Sequence, residues 1–168
     1  MKKREHLPVF GVGPIIVGVQ IALTLVGVVL SWMGYLDFGG IDVLNIPLKI
    51  IGVLAIAYGI YLYLRANFQS RVFANITKNK LVTTGVYGIV RNPIYSGFLL
   101  VCTGVVCIAN NLVLFLAPVL GWVFMTIVLK YSEEKWLENL YGDEYVQYCK
   151  KVNRCIPCWD KALLKVKF

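Results

Sequence analysis

Residues 94 to 129, IYSGFLLVCTGVVCIANNLVLFLAPVLGWVFMTIVL, run for 36 positions without one Asp, Glu, Lys, Arg or His. As one helix the stretch would reach about 54 Å at about 1.5 Å per residue, far beyond a hydrocarbon core of about 30 Å. Asn110-Asn111 sits at its middle, with apolar runs of 16 and 18 residues on either side. The stretch therefore predicts two helices, 94–109 and 112–129, folded back as a tight hairpin. Upstream, Gly11 to Met33 gives 23 residues without a formal charge. Ile46 to Leu64 is interrupted only by Lys49, close enough to one end to snorkel. The expected fold is all-α: one polytopic membrane domain, 1–168, with about four transmembrane helices (11–33, 46–64, 94–109 and 112–129) and a C-terminal interfacial helical segment. Composition agrees, at 58% hydrophobic, 15% charged and mean hydropathy +0.70. Soluble domains carry about 25% charged residues.

The basic residues orient the chain. Lys2, Lys3 and Arg4 precede the first block; Arg65, Arg71, Lys78, Lys80 and Arg91 lie between the second and third. Lys130, Lys135, Lys150, Lys151, Arg154, Lys161, Lys165 and Lys167 follow the last, so 16 of the 17 Lys and Arg fall on one side of a four-span arrangement. Positive charge marks the cytosolic side. Both termini and the segments 65–93 and 130–168 are therefore expected in the cytosol. The net charge of +8 is mainly a topology signal, with attraction to anionic membrane lipids. Nucleic-acid binding is disfavoured, because the basic residues flank spans and form no separate module.

The first block is too long for a cleaved leader and no small-x-small site follows it, so it is expected to stay as a span. Cysteines facing a reducing compartment argue against disulfides. Cys155-Ile-Pro-Cys158 has the spacing of a redox or zinc pair, but no second pair accompanies it and His6 is the lone histidine. No metal is expected.

Chemistry is expected in the two cytosolic segments. In the first, KLVTTGVYGIVRNPIYSG at 80–97, Gly85 marks a turn and Asn92-Pro93 a helix start. Residue by residue, Arg91 suits a headgroup anchor, Asn92 a helix cap, and Tyr87 and Tyr95 an interfacial aromatic belt. In the second, EEKWLENLYGDEYVQYCKKVNRCIP at 133–157, the pattern is an amphipathic interfacial helix broken at Gly142 and restarted after Asp143.

Together the two segments resemble the isoprenylcysteine carboxyl methyltransferase and phospholipid methyltransferase superfamily. Leu81, Val82, Gly85 and Tyr87, then Arg91, Asn92, Pro93 and Tyr95, match its first signature. Glu133, Glu134, Leu137, Tyr141, Gly142, Tyr145, Tyr148, Val152 and Pro157 match its second, and the resemblance covers about residues 46 to 157. It implies an integral membrane methyltransferase using S-adenosylmethionine, with a lipid-soluble acceptor entering from the bilayer. By matching position, Lys80, Leu81 and Val82 would line the adenine, and Tyr87 would pack on the cofactor. Asn92, Pro93, Ile94 and Tyr95 would wall the site, and Glu133 with Glu134 would bind ribose or amino group. An acid just after a span needs a cationic or donor partner, which such a cofactor supplies.

Two departures bear on the acceptor. Many members have His where Asn92 stands, and Asn exchanges no proton near neutral pH. Carboxyl methyltransferases of the family resemble one another in an Arg four residues before the first Glu; Leu129 stands there, with Lys130 adjacent and Arg154 as another candidate cation. Prenylcysteine carboxylate, amine and thiol acceptors all stay open. So do a phospholipid amine N-methyltransferase, a non-catalytic membrane binding or assembly protein, and a reductase-like scaffold using a nicotinamide cofactor.

Overall fold

The computed structural model describes residues 11–69 and 81–156. Lys80, expected at the adenine, lies outside them, as do Pro157, Cys158, His6 and the basic residues 2–4, 71, 78 and beyond 160. Six α-helices carry the described residues: α1 (Gly13–Trp32), α2 (Asn45–Leu64), α3 (Pro93–Ala109), α4 (Leu116–Tyr131), α5 (Glu133–Tyr141) and α6 (Asp143–Lys151). No strand occurs among them; one isolated bridge joins Gly40 to Asn111.

The chain is an all-α polytopic membrane protein. Three apolar stretches, 13–32, 42–68 and 112–141, are long and apolar enough to cross a membrane, and α3 is a shorter apolar helix of 17 residues. Their outer faces are plainly built for lipid. Ile15, Leu25 and Val26 on α1 and Ile50, Val53 and Leu54 on α2 are all more than half exposed, far more contiguous apolar surface than water tolerates. Lys49 is exposed at the start of α2, where a lysine reaches polar surroundings.

The hairpin expected from Asn110-Asn111 is present, with a single-turn 3-10 entry at Leu112–Phe115 before α4. Asn110 takes the left-handed conformation at φ 51° that ends α3, a position asparagine tolerates. Its side chain donates to the Ile41 carbonyl at 3.0 Å. Asn111 is buried and donates to the Leu36 carbonyl at 2.7 Å and to Ser31 Oγ at 3.2 Å. The hairpin tip thus pins the loop between α1 and α2, satisfying polar groups that lipid cannot.

The α2–α3 pairing rests on a feature not anticipated from sequence. Gly52 faces Gly104 and Gly59 faces Gly97 across the antiparallel crossing. A Cβ added to Gly52 would stand 2.6 Å from the Gly104 carbonyl, and one added to Gly59 would stand 2.6 Å from the Gly97 carbonyl. Backbones in direct contact are how helices associate in a solvent as apolar as their side chains. α1 packs its buried stripe of Gly13, Ile16, Gln20 and Thr24 against α3 and α4. Ile16, Met125, Leu129 and Cys155 form the core there. Beyond α4 the chain turns at Ser132 into α5, breaks at Gly142 (φ 58°), continues as α6, and returns over the start of α3 through residues 152–156.

Candidate functional site

The two signature segments meet at the start of α3. Pro93, in the first helical position, directs α3 into the bundle and puts Tyr95 in its first turn. Glu133 opens α5 immediately after α4. Tyr95 Oη donates to Glu133 Oε1 at 2.8 Å, and the Val12 N–H from the start of α1 donates to the same oxygen at 3.3 Å. Burial raises the Glu133 carboxyl above the ordinary glutamate value, while the Tyr95 and Val12 hydrogen bonds pull it back down. Tyr87 lies within reach of the same charge: burial, and then the Glu133 carboxylate, push its phenol up. The tyrosine packs on the buried cluster of Leu62, Ala66 and Val86, as Ile94 also does, and its carbonyl accepts from Tyr148 Oη at 2.6 Å. Tyr148 therefore locks the second segment onto the first.

Glu134 has a different environment. Its carboxylate holds Arg154 in a two-pronged pair, Nε to Oε1 at 2.6 Å and the second guanidinium nitrogen to Oε2 at 2.8 Å. Arg91 reaches Oε1 at 3.1 Å, and side-chain exposures of 10% for Arg91 and 14% for Glu134 put this contact well inside. Arg91 also contacts Cys149 Sγ. The headgroup-anchor reading of Arg91 is thus corrected: a guanidinium beside a buried carboxylate gains more from it than from water. Asn92 is corrected too. Its side chain makes no cap; its Nδ2 and N–H both donate to the Arg154 carbonyl, at 3.0 and 3.2 Å. With Arg91 N–H on the Asn153 carbonyl at 2.8 Å and Ser96 Oγ on that of Cys155 at 2.7 Å, the segment 153–155 is strapped along the start of α3. Cys155, within the strap, buries its side chain in the core, and desolvation pushes its thiol up to about 12.

Leu81 packs against Tyr145, Tyr148 and Val152, alongside Leu137 and Tyr141; Val82 is half-buried. Leu129 is fully buried among Ile16, Met125 and Cys155. Lys130 is exposed, with its ammonium over the Tyr131 ring at 5.6 Å. The structure therefore gathers Tyr87, Asn92, Pro93, Ile94, Tyr95, Glu133, Glu134 and Arg154 around one junction. Sequence reasoning missed Gly11, Val12 and Gly13, which lie against Glu133 and Tyr95. The signal was available in Gly-Val-Gly-Pro at the edge of an apolar block.

A helical membrane protein with paired signature segments joined at one end of its bundle is a narrow class. The family model for phospholipid methyltransferases matches residues 43–144, and the chain belongs to that family, within the superfamily that also holds the isoprenylcysteine methyltransferases. Among curated proteins, protein-S-isoprenylcysteine O-methyltransferase B of Arabidopsis thaliana is 39% identical over 80 residues, 47% of this chain and 40% of its own. The protein-S-isoprenylcysteine O-methyltransferase of Schizosaccharomyces pombe is 34% identical over 105 residues, 56% of this chain and 44% of its own. Methanethiol S-methyltransferase 1 of Bradyrhizobium diazoefficiens is 34% identical over 87 residues, 52% of this chain and 29% of its own. The chain thus spans less than half the length of each of these relatives. No solved structure gives a significant match.

Proposed function

We propose that the chain is a membrane methyltransferase that moves a methyl group from S-adenosylmethionine to a hydrophobic acceptor, at a cytosol-facing site in a four-span arrangement with both termini cytosolic. The observation that carries this is the Tyr95–Glu133 hydrogen bond of 2.8 Å, which joins the two signature segments across 38 positions of sequence. The donor set suits the cofactor. Glu133 is a half-buried carboxylate at the bundle end, and both of its hydrogen bonds among the described residues land on Oε1. A carboxylate offers about four lone-pair sites, so Oε2 is the natural partner for an ammonium or ribose hydroxyl. Tyr87 and Ile94 supply an apolar wall beside it, and Leu81 and Val82 the flank toward α6.

When bound, the cofactor supplies a methyl group already activated on a sulfonium. The protein's own part is then positioning and exclusion of water. Glu133, held by Tyr95 and Val12, fixes one end of the ligand; the Tyr148–Tyr87 bond keeps the two segments closed around the other. Such alignment is worth several kcal/mol, on the order of 7–11 in the best cases. Glu134 is assigned to the strap and not to the ligand, since Arg154 and Arg91 already occupy it.

A neutral thiol or amine acceptor is favoured over a free carboxylate. Leu129 is buried in apolar surroundings, Arg154 is paired with Glu134, and Lys130 is exposed with its ammonium over the Tyr131 ring. A carboxylate placed there without a cation is costly. The name of the Bradyrhizobium relative, a methanethiol S-methyltransferase, supports a thiol; the names of the plant and yeast relatives support the prenylcysteine alternative.

Calorimetry of the detergent-purified protein tests the cofactor: S-adenosylmethionine and its demethylated product are expected to bind, and NADPH not to. Labelled methyl transfer onto a prenylcysteine, an amine lipid and an alkyl thiol then tests the acceptor. Robust methylation of the prenylcysteine by both the parent and Lys130→Ala would defeat the preference for a neutral acceptor. Cysteine labelling from outside at an added C-terminal tag would overturn the topology.

A further inference from the structure

The start of α1 falls outside residues 43–144 that match the family model, yet three consecutive residues of it meet the site. The Val12 N–H donates to Glu133 Oε1 at 3.3 Å. A Cβ on Gly11, whose φ is +47°, would stand 2.6 Å from that same oxygen. A Cβ on Gly13 would stand 2.9 Å from Tyr95 Oη and 3.2 Å from its ring.

These glycines differ from those of the α2–α3 seam. Gly52, Gly59, Gly97 and Gly104 each face a carbonyl of the opposite helix, so their smallness serves helix packing. The atoms nearest a Cβ on Gly11 or Gly13 belong to the side chains of Glu133 and Tyr95, with the polar tip nearest in each case. Glycine has the poorest helix propensity after proline, so Gly13 does not serve the helix itself. At Gly11 the left-handed φ itself calls for glycine; at Gly13 what the absent methyl preserves is the placement of the Tyr95 hydroxyl on Glu133. The start of α1 also presents the positive end of its helix dipole and the Val12 N–H to the carboxylate, which favours its charged form.

We propose that the Gly11-Val12-Gly13 turn positions Glu133 and Tyr95 for the cofactor, so that α1 is part of the binding site. This rests on the functional reading above. The turn contacts no reacting atom; it acts by holding Glu133 ionised and aimed. Every group facing that carboxylate enters: Tyr95 from α3, Tyr87 from the turn before α3, the Val12 N–H from α1, and Glu134 beside it on α5, itself paired with Arg154 and Arg91.

The test is calorimetric titration of the full chain in detergent with S-adenosylmethionine across pH, together with melting of the unliganded protein. Gly13→Ala is expected to melt at or above the parent temperature and to bind about fivefold more weakly or worse. With the hydrogen bonds disturbed and burial retained, the Glu133 carboxyl rises, so the acid limb of binding moves to higher pH. In a Tyr95→Phe background, where the crowded hydroxyl is gone, Gly13→Ala is expected to have little further effect. Val12→Pro, which deletes the N–H donor together with the valine side chain that packs on the core, is expected to move the acid limb the same way, provided its melting temperature stays near the parent's. Gly18→Ala, whose added methyl meets nothing within 4 Å, is the control and is expected to bind like the parent. A Gly13→Ala protein with parent affinity and an unmoved acid limb overturns the inference, as does an equal loss in the Tyr95→Phe background. If Gly13→Ala is too unstable to titrate, an unmoved limb in Val12→Pro overturns it instead. A parent that does not bind the cofactor overturns the functional reading and the inference with it. Parent binding that Glu133→Gln weakens and Gly13→Ala leaves intact overturns the inference alone.

Discussion

The α2–α3 seam and the junction around Glu133 and Glu134 are both tight, for opposite reasons. At the seam two backbones touch because four glycines carry no side chain. Nothing polar is exchanged, and what holds it is dispersion gained by close approach in a medium that offers no hydrophobic drive. At the junction, charged and polar groups are buried at the bundle end, and every contact is directional: Tyr95 on Glu133, Arg154 and Arg91 on Glu134, Tyr148 on a backbone carbonyl. The seam is a scaffold that fails when something is added. The junction depends on directional pairs and fails when a partner is removed or displaced.

The sharpest way to break that contrast is to fill the seam. Gly59→Leu places a side chain where even a Cβ would meet the Gly97 carbonyl at 2.6 Å. It should cost about 3 kcal/mol or more, since the clash is with backbone and neither helix can yield alone. Thermal melting in detergent checks this; a variant as stable as the parent would mean that the helices separate easily and the seam is not the scaffold.

Removing an ion-pair partner at the junction should cost less. Arg154→Ala leaves Glu134 with Arg91, so the loss is expected near 1–2 kcal/mol, below the 3–5 of a fully broken buried pair. The effect should be local, a loosening of the strap at 153–155. Cys155 in the strap reports on it: a thiol buried and pushed up to about 12 reacts only through opening. Its alkylation rate, mapped by mass spectrometry, should rise about tenfold in Arg154→Ala. An unchanged rate would show that the strap is held by its backbone bonds to Arg91, Asn92 and Ser96 alone.

Glu133 separates site from scaffold most clearly. Its carboxyl is raised in the folded protein, burial outweighing two hydrogen bonds. A carboxyl raised on folding favours the folded state while it is protonated. That contribution is complete below the ordinary glutamate value and is lost as pH rises through the raised one. At neutral pH the ionised Glu133 is therefore a small burden on stability. Glu133→Gln should leave the melting temperature at neutral pH equal or slightly higher and flatten its fall between acid and neutral pH. Cofactor affinity should drop about tenfold or more, the value of one charge-assisted hydrogen bond of about 1.5–3 kcal/mol. A variant that loses stability and keeps affinity would reverse the roles assigned here to Glu133 and the scaffold.

Much of the fold was legible without coordinates. Uncharged stretches of 23 and 36 residues have few solutions in lipid except helices, because every backbone group must be paired within its own segment. Asn110-Asn111 divided the longer one for a local reason, since asparagine accepts the left-handed turn. Pro93 and Gly142 set a helix start and a helix break by backbone chemistry alone. The two signature segments were likewise visible as motifs, and with them Tyr95 and Glu133.

What sequence left undetermined depends on which distant groups come within about 3 Å of each other. Glu133 and Glu134 are adjacent and chemically identical, yet one faces Tyr95 and Val12 while the other is clamped by Arg154 and Arg91. Successive residues on a helix point about 100° apart, so only the elements packed on each side decide their partners. For the same reason, Arg91 became an internal ion-pair member, Asn92 a tether for the strap, and Gly11 and Gly13 neighbours of the site. The seam glycines could be counted in the sequence, but a glycine shows its purpose only when another backbone lies against it.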